Sequence, residues 1–147
     1  MRIYFDMDGT LADLYSINNW VNRLESYDSS VYEEAEPLFD FRQLARILNK
    51  LQDKGVYIGI ISWNSKCGDD EYHEAVKLAK KRWLAHHLPS VVWNEIHIVK
   101  YGTPKHFCCQ DNKGVLFDDN KGVRNLWNKR GTAYSEKDII TVLKRLL

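Results

Sequence analysis

The sequence contains little cysteine and no long apolar run. Only three of its 147 residues are cysteines, at positions 67, 108 and 109, and an odd number of thiols with two of them adjacent does not suit a disulfide scaffold. No apolar stretch approaches the roughly 18 residues that a membrane span requires, and acidic Asp6 comes too early for a secretory signal. We therefore expect a protein of the cytoplasm, without contact with a membrane.

An excess of charge of one sign is also missing. Lysine and arginine together number 21, aspartate and glutamate number 20, and the formal net charge is +1. The protein as a whole therefore creates no field that would attract nucleic acid or a membrane surface, and we expect neither as a partner. A local basic group, Lys77, Lys80, Lys81 and Arg82, alternates with acidic residues at helical spacing, which we interpret as the solvated face of a helix.

Short apolar runs alternate with longer helical patterns along the chain. The predicted strands cover residues 2–5, 56–61, 96–99, 115–117 and 132–134, and the predicted helices cover 41–54, 71–87, 121–129 and a last segment opened by Ser135. Such alternation is typical of right-handed βαβ units. We predict an α/β fold with a parallel sheet of about five strands, formed by a single domain over residues 1–147.

A polar and aromatic segment separates the first predicted strand from the second. Residues 41–54 already supply the crossover helix, so residues 11–40 are predicted to be a small helical cap inserted after the first strand, with a helix over 16–24. An insertion at this place lies above the carboxyl edge of the sheet, where ligands bind in open α/β folds. We therefore expect the cap to influence substrate choice.

Polar side chains follow four of the predicted strands at the points where they end. In chain order they are Asp6 and Asp8, then Ser62, Trp63 and Asn64, then Lys105, and finally Asp118 and Asp119. Because parallel strands place their carboxyl ends at one edge, we expect these groups to converge. Two acidic pairs there would repel each other unless a cation lay between them, and carboxylate oxygens suit Mg²⁺. Taken alone, residues 6–10 could also be an ordinary surface turn.

The ordered set resembles the four motifs of the haloacid dehalogenase (HAD) superfamily. The resemblance is carried by residues 6–10, Ser62, Lys105 and residues 118–119, and the remaining chain to residue 147 suits the same fold. It implies a HAD-like three-layer α/β/α architecture. It also implies a Mg²⁺-dependent phosphatase, a phosphoric monoester hydrolase that works through an aspartyl-phosphate.

The resemblance further implies a role for each catalytic and substrate-binding residue. Asp6 would be the nucleophile, and Asp8 would be the general acid and base, with its backbone carbonyl offered to Mg²⁺. Ser62 and Lys105 would hold the phosphoryl oxygens. The residues next to Ser62, Trp63 and Asn64, would also contact the substrate.

The remaining metal ligands and the phosphate lysine have alternatives. Besides the two aspartates of the first motif, Asp119 aligns best with a direct ligand of Mg²⁺, and Asp118 aligns with a more distant or alternative one. Lys100 directly follows the third strand, but Lys105 is nearer the start of the next helix and is better able to reach inward. Lys113 precedes the fourth strand and would lie at the opposite edge.

A weaker resemblance concerns the substrate. Residues 6–13 resemble the branch that contains the 5′(3′)-deoxyribonucleotidases, which implies a nucleotidase-like enzyme acting on a (deoxy)nucleotide. Another small phosphorylated metabolite is the alternative substrate. Trp20 and Trp63 could stack on a nucleobase, or could merely pack the cap on the sheet. The alternatives are a polynucleotide 3′-end phosphatase and a non-catalytic metal-binding or interaction domain. The sequence does not predict an oligomeric state.

Overall fold

A computed structural model of the chain describes residues 1–109 and 114–147. Its strands are β1 (Arg2–Phe5), β2 (Ala12–Asp13), β3 (Glu36–Pro37), β4 (Tyr57–Trp63), β5 (Glu95–Val99), β6 (Val115–Phe117) and β7 (Thr132–Tyr134). Its α-helices are α1 (Trp20–Glu25), α2 (Ser30–Glu34), α3 (Phe41–Asp53), α4 (Asp70–His87), α5 (Lys121–Trp127) and α6 (Ile139–Leu146). None of these helices has the length and apolar character needed to cross a bilayer.

The central sheet has five parallel strands in the order β5-β4-β1-β6-β7. The predicted parallel α/β fold is therefore confirmed. Strand β1 lies in the middle and pairs with β4 on one side and β6 on the other, which places the topological switch between β1 and β6. Ligands of open α/β sheets bind at such a switch, beyond the carboxyl ends of the strands.

The sheet is covered on both faces because its side chains alternate in direction. Ile3 and Phe5 belong to a core cluster that includes the apolar sides of α3 and α6. Tyr4, between them, points to the other face and meets Trp127 of α5 with ring centroids 6.0 Å apart. These two clusters form the interfaces of a three-layer α/β/α arrangement.

The helices begin where the sequence supplies a capping side chain. The carboxylate or amide oxygens of Asp40, Asp69 and Asn120 accept hydrogen bonds from backbone N–H groups in the first turns of α3, α4 and α5. Ser135, predicted to open the last helix, instead caps a short 3₁₀ turn, Glu136–Asp138, which leads into α6. Polar caps of this kind satisfy N–H groups that lack partners within the helix.

Residues 11–40 form a compact segment above the carboxyl edge of the sheet. It contains the antiparallel pair β2–β3, a 3₁₀ turn, and the short helices α1 and α2. The helix predicted over 16–24 begins only at Trp20, because Asn19 adopts a left-handed conformation with φ of 59° that interrupts the helical path. Val31 and Tyr32 of α2 pack against α4, so this segment rests on the long second crossover helix.

Candidate active site

The loop after β1 brings the first acidic pair to the carboxyl edge of the sheet. The backbone N–H of Asp6 still donates to the carbonyl of Phe117 at 2.9 Å, which extends the pairing of β1 with β6. Gly9 then turns the chain with φ of +80°, and a Cβ atom at this position would lie 2.4 Å from Oδ2 of Asp119. Glycine therefore permits both the turn and the close approach of the β1 loop to the acidic residues after β6.

A buried lysine joins acids from two strands. The Nζ of Lys105 donates to Oδ1 of Asp6 at 2.9 Å and to Oδ2 of Asp118 at 2.6 Å. Burial lowers the pKa of Lys105, but the charges of the two carboxylates outweigh it and hold this pKa above its ordinary value. Lys100 is exposed and Lys113 lies outside the described residues. Among the described lysines, Lys105 is therefore the one that contacts Asp6 and Asp118.

The acidic cluster carries more negative charge than its neighbours balance. Burial raises the pKa of Asp6, but Lys105 opposes it and leaves that pKa below its usual range. Burial, and next the charge of Asp6, raise the pKa of Asp118 to about 6 and that of Asp119 to about 8. Ionising all three carboxylates in a buried site is unfavourable without an additional cation.

The geometry of the cluster fits such a cation. Carboxylate oxygens of Asp6, Asp118 and Asp119 all lie within 4.8 Å of one another. Within the described ranges, these three residues could together hold a metal ion. Ligands that are all oxygen suit a hard dication such as Mg²⁺. Asp118 already uses Oδ1 to accept from the N–H of Asn120 at 2.9 Å and Oδ2 to accept from Lys105. The carboxylate of Asp119 accepts a hydrogen bond from Thr10 and is less buried than that of Asp118, which favours Asp119 as a direct ligand.

Thr10 connects the first and last motifs, a role that the sequence did not predict. Its Oγ1 lies 3.0 Å from Oδ2 of Asp6 and 3.2 Å from Oδ1 of Asp119, so its single hydroxyl hydrogen is shared between two carboxylates. The same oxygen accepts from the backbone N–H of Asp119 at 3.1 Å. Thr10 is fully buried. It therefore fixes the distance between two of the three acidic groups.

Lys80 is a second buried lysine at the site, and its interpretation as part of a solvated helix face is wrong. Its Nζ donates to Oδ2 of Asp8 at 2.8 Å, to Oγ of Ser62 at 2.7 Å and to the carbonyl of Trp63 at 2.8 Å. Burial raises the pKa of Asp8, and the charge of Lys80 opposes that rise without cancelling it. A signal was present in the sequence, because Lys80 shares the buried stripe of α4 with Val76 and Trp83 at helical spacing.

The end of β4 supplies the remaining predicted site residues. Ser62 is fully buried, and Trp63 lines the cavity, with its indole N–H donating to the carbonyl of Thr103 at 2.8 Å. Asn64 also borders the cavity, but its side chain is used within the loop. The amide group donates to the carbonyl of His73 at 3.0 Å, and its oxygen accepts from the N–H of Ser65 at 2.7 Å. Asn64 therefore shapes the turn after β4.

A cavity of about 630 Å³ opens over the acidic cluster. Its floor is formed by the strand ends and its walls include five aromatic side chains, Tyr15, Trp20, Tyr32, Trp63 and Tyr101. Four of them form two pairs whose ring centroids are 5.0 Å apart: Tyr15 with Trp20 in the 11–40 segment, and Trp63 with Tyr101 on the sheet side. The site thus combines a charged floor with aromatic walls.

No protein-family model matches the chain, and no curated protein matches its sequence. Solved structures do match. A D,D-heptose 1,7-bisphosphate phosphatase from Burkholderia thailandensis shares 14% identity at a TM-score of 0.52, over 89% of this chain and 74% of that one. A HAD-family enzyme from Bacteroides thetaiotaomicron, in complex with magnesium and inorganic phosphate, shares 9% identity at a TM-score of 0.53, over 91% of this chain and 92% of that one.

A further solved structure also matches over most of this chain. A chain in a Pnkp1/Rnl/Hen1 complex shares 16% identity at a TM-score of 0.57, over 91% of this chain, which spans only 44% of the matched chain. At these identities the likeness shows the fold. Together with the sheet order and the four polar strand ends, it shows that this chain has a HAD-like fold, as the sequence motifs predicted.

Proposed function

We propose that this protein is a Mg²⁺-dependent phosphatase that hydrolyses a phosphate monoester through an aspartyl-phosphate on Asp6. The observation that carries the proposal is the convergence at the sheet edge of Asp6, Lys105 and the acidic pair after β6, with metal-ligand spacing, beneath an open cavity. The matched structure from Bacteroides thetaiotaomicron, which contains magnesium and inorganic phosphate, supports it. A binding module would have no need for both Asp6 and Asp8 in the first motif.

In this mechanism a carboxylate oxygen of Asp6 attacks phosphorus, and the bond from phosphorus to the leaving oxygen breaks. Asp8 gives its proton to that oxygen, then removes a proton from the water that cleaves the acyl phosphate and releases inorganic phosphate. Ser62 and Lys105 bind the phosphoryl oxygens, whose charge increases during transfer.

Mg²⁺ fits the oxygen cluster described above. When bound, it would neutralise charge on the phosphoryl group. Asp6 and Asp119 are the proposed direct ligands, with the backbone carbonyl of Asp8. Asp118, which is held by Lys105 and Asn120, would orient the site from a greater distance. The aspartates of the site outnumber the two buried lysines, Lys80 and Lys105, so a divalent cation would offset remaining negative charge.

We also propose that residues 11–40 form a cap and that the substrate is a nucleoside monophosphate, processed in the cytoplasm. A phosphate on the cavity floor would leave the rest of the molecule between the pairs Tyr15–Trp20 and Trp63–Tyr101. Aromatic faces stack on nucleobases but offer a sugar few hydrogen bonds. The cavity of about 630 Å³ lies within the usual range for small-molecule sites.

The test is release of phosphate from p-nitrophenyl phosphate, nucleoside monophosphates, sugar phosphates and a 3′-phosphorylated oligonucleotide, with Mg²⁺ or with a chelator. We expect chelator-sensitive turnover and the highest kcat/KM on nucleoside monophosphates. A preference for the oligonucleotide that weakens with salt would indicate a polynucleotide 3′-end phosphatase. If none of these compounds gives chelator-sensitive turnover, the proposed enzymatic activity is contradicted, and the chain would instead be a non-catalytic metal-binding or interaction domain.

A further inference from the structure

Lys80 is placed so that it determines how two other groups of the site can act. Its side chain extends from α4 to Asp8, which lines the cavity, and is only 1% exposed. The ammonium group has three N–H donors and no acceptor. Its three contacts, with Asp8, Ser62 and the carbonyl of Trp63, lie at 2.7–2.8 Å and use all three donors. Lys80 therefore has no donor left for a substrate.

The contact with Ser62 fixes the direction of its hydroxyl hydrogen. Because Lys80 can only donate, Oγ of Ser62 must accept the hydrogen bond at 2.7 Å. The hydroxyl hydrogen then points elsewhere, and no acceptor for it is present among residues 1–109 and 114–147. Ser62 is fully buried at the end of β4, and the same ammonium group links its oxygen to Oδ2 of Asp8. Its hydrogen is thus left for an acceptor outside the described residues, such as a phosphoryl oxygen of a bound substrate.

The contact with Asp8 distinguishes the two oxygens of its carboxyl group. Oδ2 accepts from Lys80 at 2.8 Å, whereas Oδ1 accepts no hydrogen bond from the described part of the chain. A proton that Asp8 delivers to a leaving group would be carried on the oxygen that faces the substrate. The ammonium group leaves Oδ1 for that purpose and prevents the carboxyl group from rotating freely.

We propose that Lys80 is a positioning residue that orients the proton-transfer group and the phosphate-binding hydroxyl at the same time. This inference rests on the proposed phosphatase activity. Lys105 has a different place, since it contacts Asp6 and Asp118 rather than Asp8 or Ser62. Lys105 therefore contacts the proposed nucleophile, and Lys80 contacts the proposed proton donor to the leaving group.

Substrates whose leaving groups differ in acidity can distinguish a positioning role of Lys80 from a purely structural role. p-Nitrophenolate leaves without being protonated, whereas an alkoxide requires a proton from Asp8 as the bond to phosphorus breaks. If Lys80 orients Asp8, its loss should weaken kcat/KM most for alkyl phosphates. If Lys80 only supports folding, its loss should lower kcat/KM by one common factor for every substrate.

The experiment measures kcat/KM for the wild type, Lys80→Met, Lys80→Arg and Lys81→Met on p-nitrophenyl phosphate, phenyl phosphate and ethyl phosphate. Lys81 is the control, because it is exposed on the same helix and contacts nothing at the site. We expect Lys80→Met to lose roughly 10²–10⁴-fold on ethyl phosphate, the usual contribution of a general acid, and much less on p-nitrophenyl phosphate. Lys80→Arg should recover part of the loss on ethyl phosphate, and Lys81→Met should match the wild type.

Each outcome decides the inference. If Lys80→Met loses kcat/KM equally on all three substrates, or loses none, the positioning role is overturned. Turnover by the wild type would still support the proposed function in that case. No turnover by the wild type would overturn both. If Lys80→Met does not fold, Lys80→Ala assayed with added propylammonium replaces it. Amine-dependent recovery that is greater on ethyl phosphate than on p-nitrophenyl phosphate supports the inference, and recovery that is equal or absent contradicts it.

Discussion

The hydroxyl oxygen of Thr10 accepts a hydrogen bond from the backbone N–H of Asp119 at 3.1 Å and lies 3.2 Å from Oδ1 of the same residue. A side chain from the loop after β1 therefore sets the position of an acid from the loop after β6. Partners of this kind orient metal ligands, and their loss commonly costs 10- to 100-fold in metal affinity, as an order of magnitude.

Thr10→Val should weaken Mg²⁺ binding by about 10-fold or more because it keeps the shape of the side chain and removes both hydrogen bonds to Asp119. Calorimetric titration with Mg²⁺ measures the change. Thr132→Val is the control, since Thr132 is exposed on β7. Unchanged affinity in Thr10→Val would show that the acidic pair does not depend on this hydroxyl.

Asp6→Asn should abolish turnover because an amide is a poor nucleophile towards phosphorus. We expect a loss on the order of 10⁶-fold, the size seen when the serine nucleophile of a protease is removed, with Mg²⁺ binding weakened but retained through the acids after β6. Phosphate release and Mg²⁺ titration of the same sample measure the two effects. Asp53→Asn, at an exposed position on α3, should behave as the wild type. Turnover in Asp6→Asn close to the wild-type rate would rule out the assignment.

Without metal, stability should fall as pH rises. The folded protein raises the pKa of Asp119 from 3.8 to about 8, chiefly through burial and then through the charge of Asp6. The folded state thus retains a proton that the unfolded state has lost, so the free energy of unfolding decreases from about pH 4 to about pH 8. Urea unfolding in chelator across this range measures the slope. Asp119→Asn should flatten the profile, and saturating Mg²⁺ should stabilise the wild type most at pH 8.

Trp20→Ala should impair nucleotides selectively. Stacking on an aromatic side chain contributes about 1–3 kcal/mol per base, so we expect KM for nucleoside monophosphates to rise roughly 5- to 150-fold. Ethyl phosphate, which has no base, should be turned over as before. The matched control is Leu78→Ala, since Leu78 is exposed on α4 and does not line the cavity. An equal effect on both substrates would indicate that Trp20 packs the 11–40 segment instead of contacting a base.

The sequence predicted the parts of this molecule that depend on local patterns. The strand at residues 2–5 and that at residues 115–117 were predicted with the bounds that the structure has, because each is a short apolar run that ends at acidic residues. The shared edge of parallel strands then predicted that Asp6, Lys105 and Asp118 would converge. The break at Asn19 was not predicted, since a left-handed residue leaves no periodic signal.

Two residues that contribute to the site were missed, for different reasons. Lys80 lies beside Lys81 and Arg82, which are exposed, and it was interpreted by the charge of these neighbours although it shares the buried stripe of α4. The packing of α4 against Tyr32 and the end of β4 shows that it points inward. Thr10 belongs to the first motif, but its link to Asp119 depends on how two distant loops meet. A charge pattern read along one helix does not reveal which of its members is buried.

The position of β1 in the centre of the sheet has a consequence for biosynthesis. Ile3 pairs with Ile58 on one side and with Val115 on the other, so both neighbours of the first strand are translated long after it. Thr10 and Asp119 are separated by 109 residues, and such non-local contacts slow folding. A nascent chain should therefore carry Asp6 exposed and apart from Lys105 and Asp118 until β6 has left the ribosome. Proteolysis of stalled nascent chains should show protection of β1 only after that point.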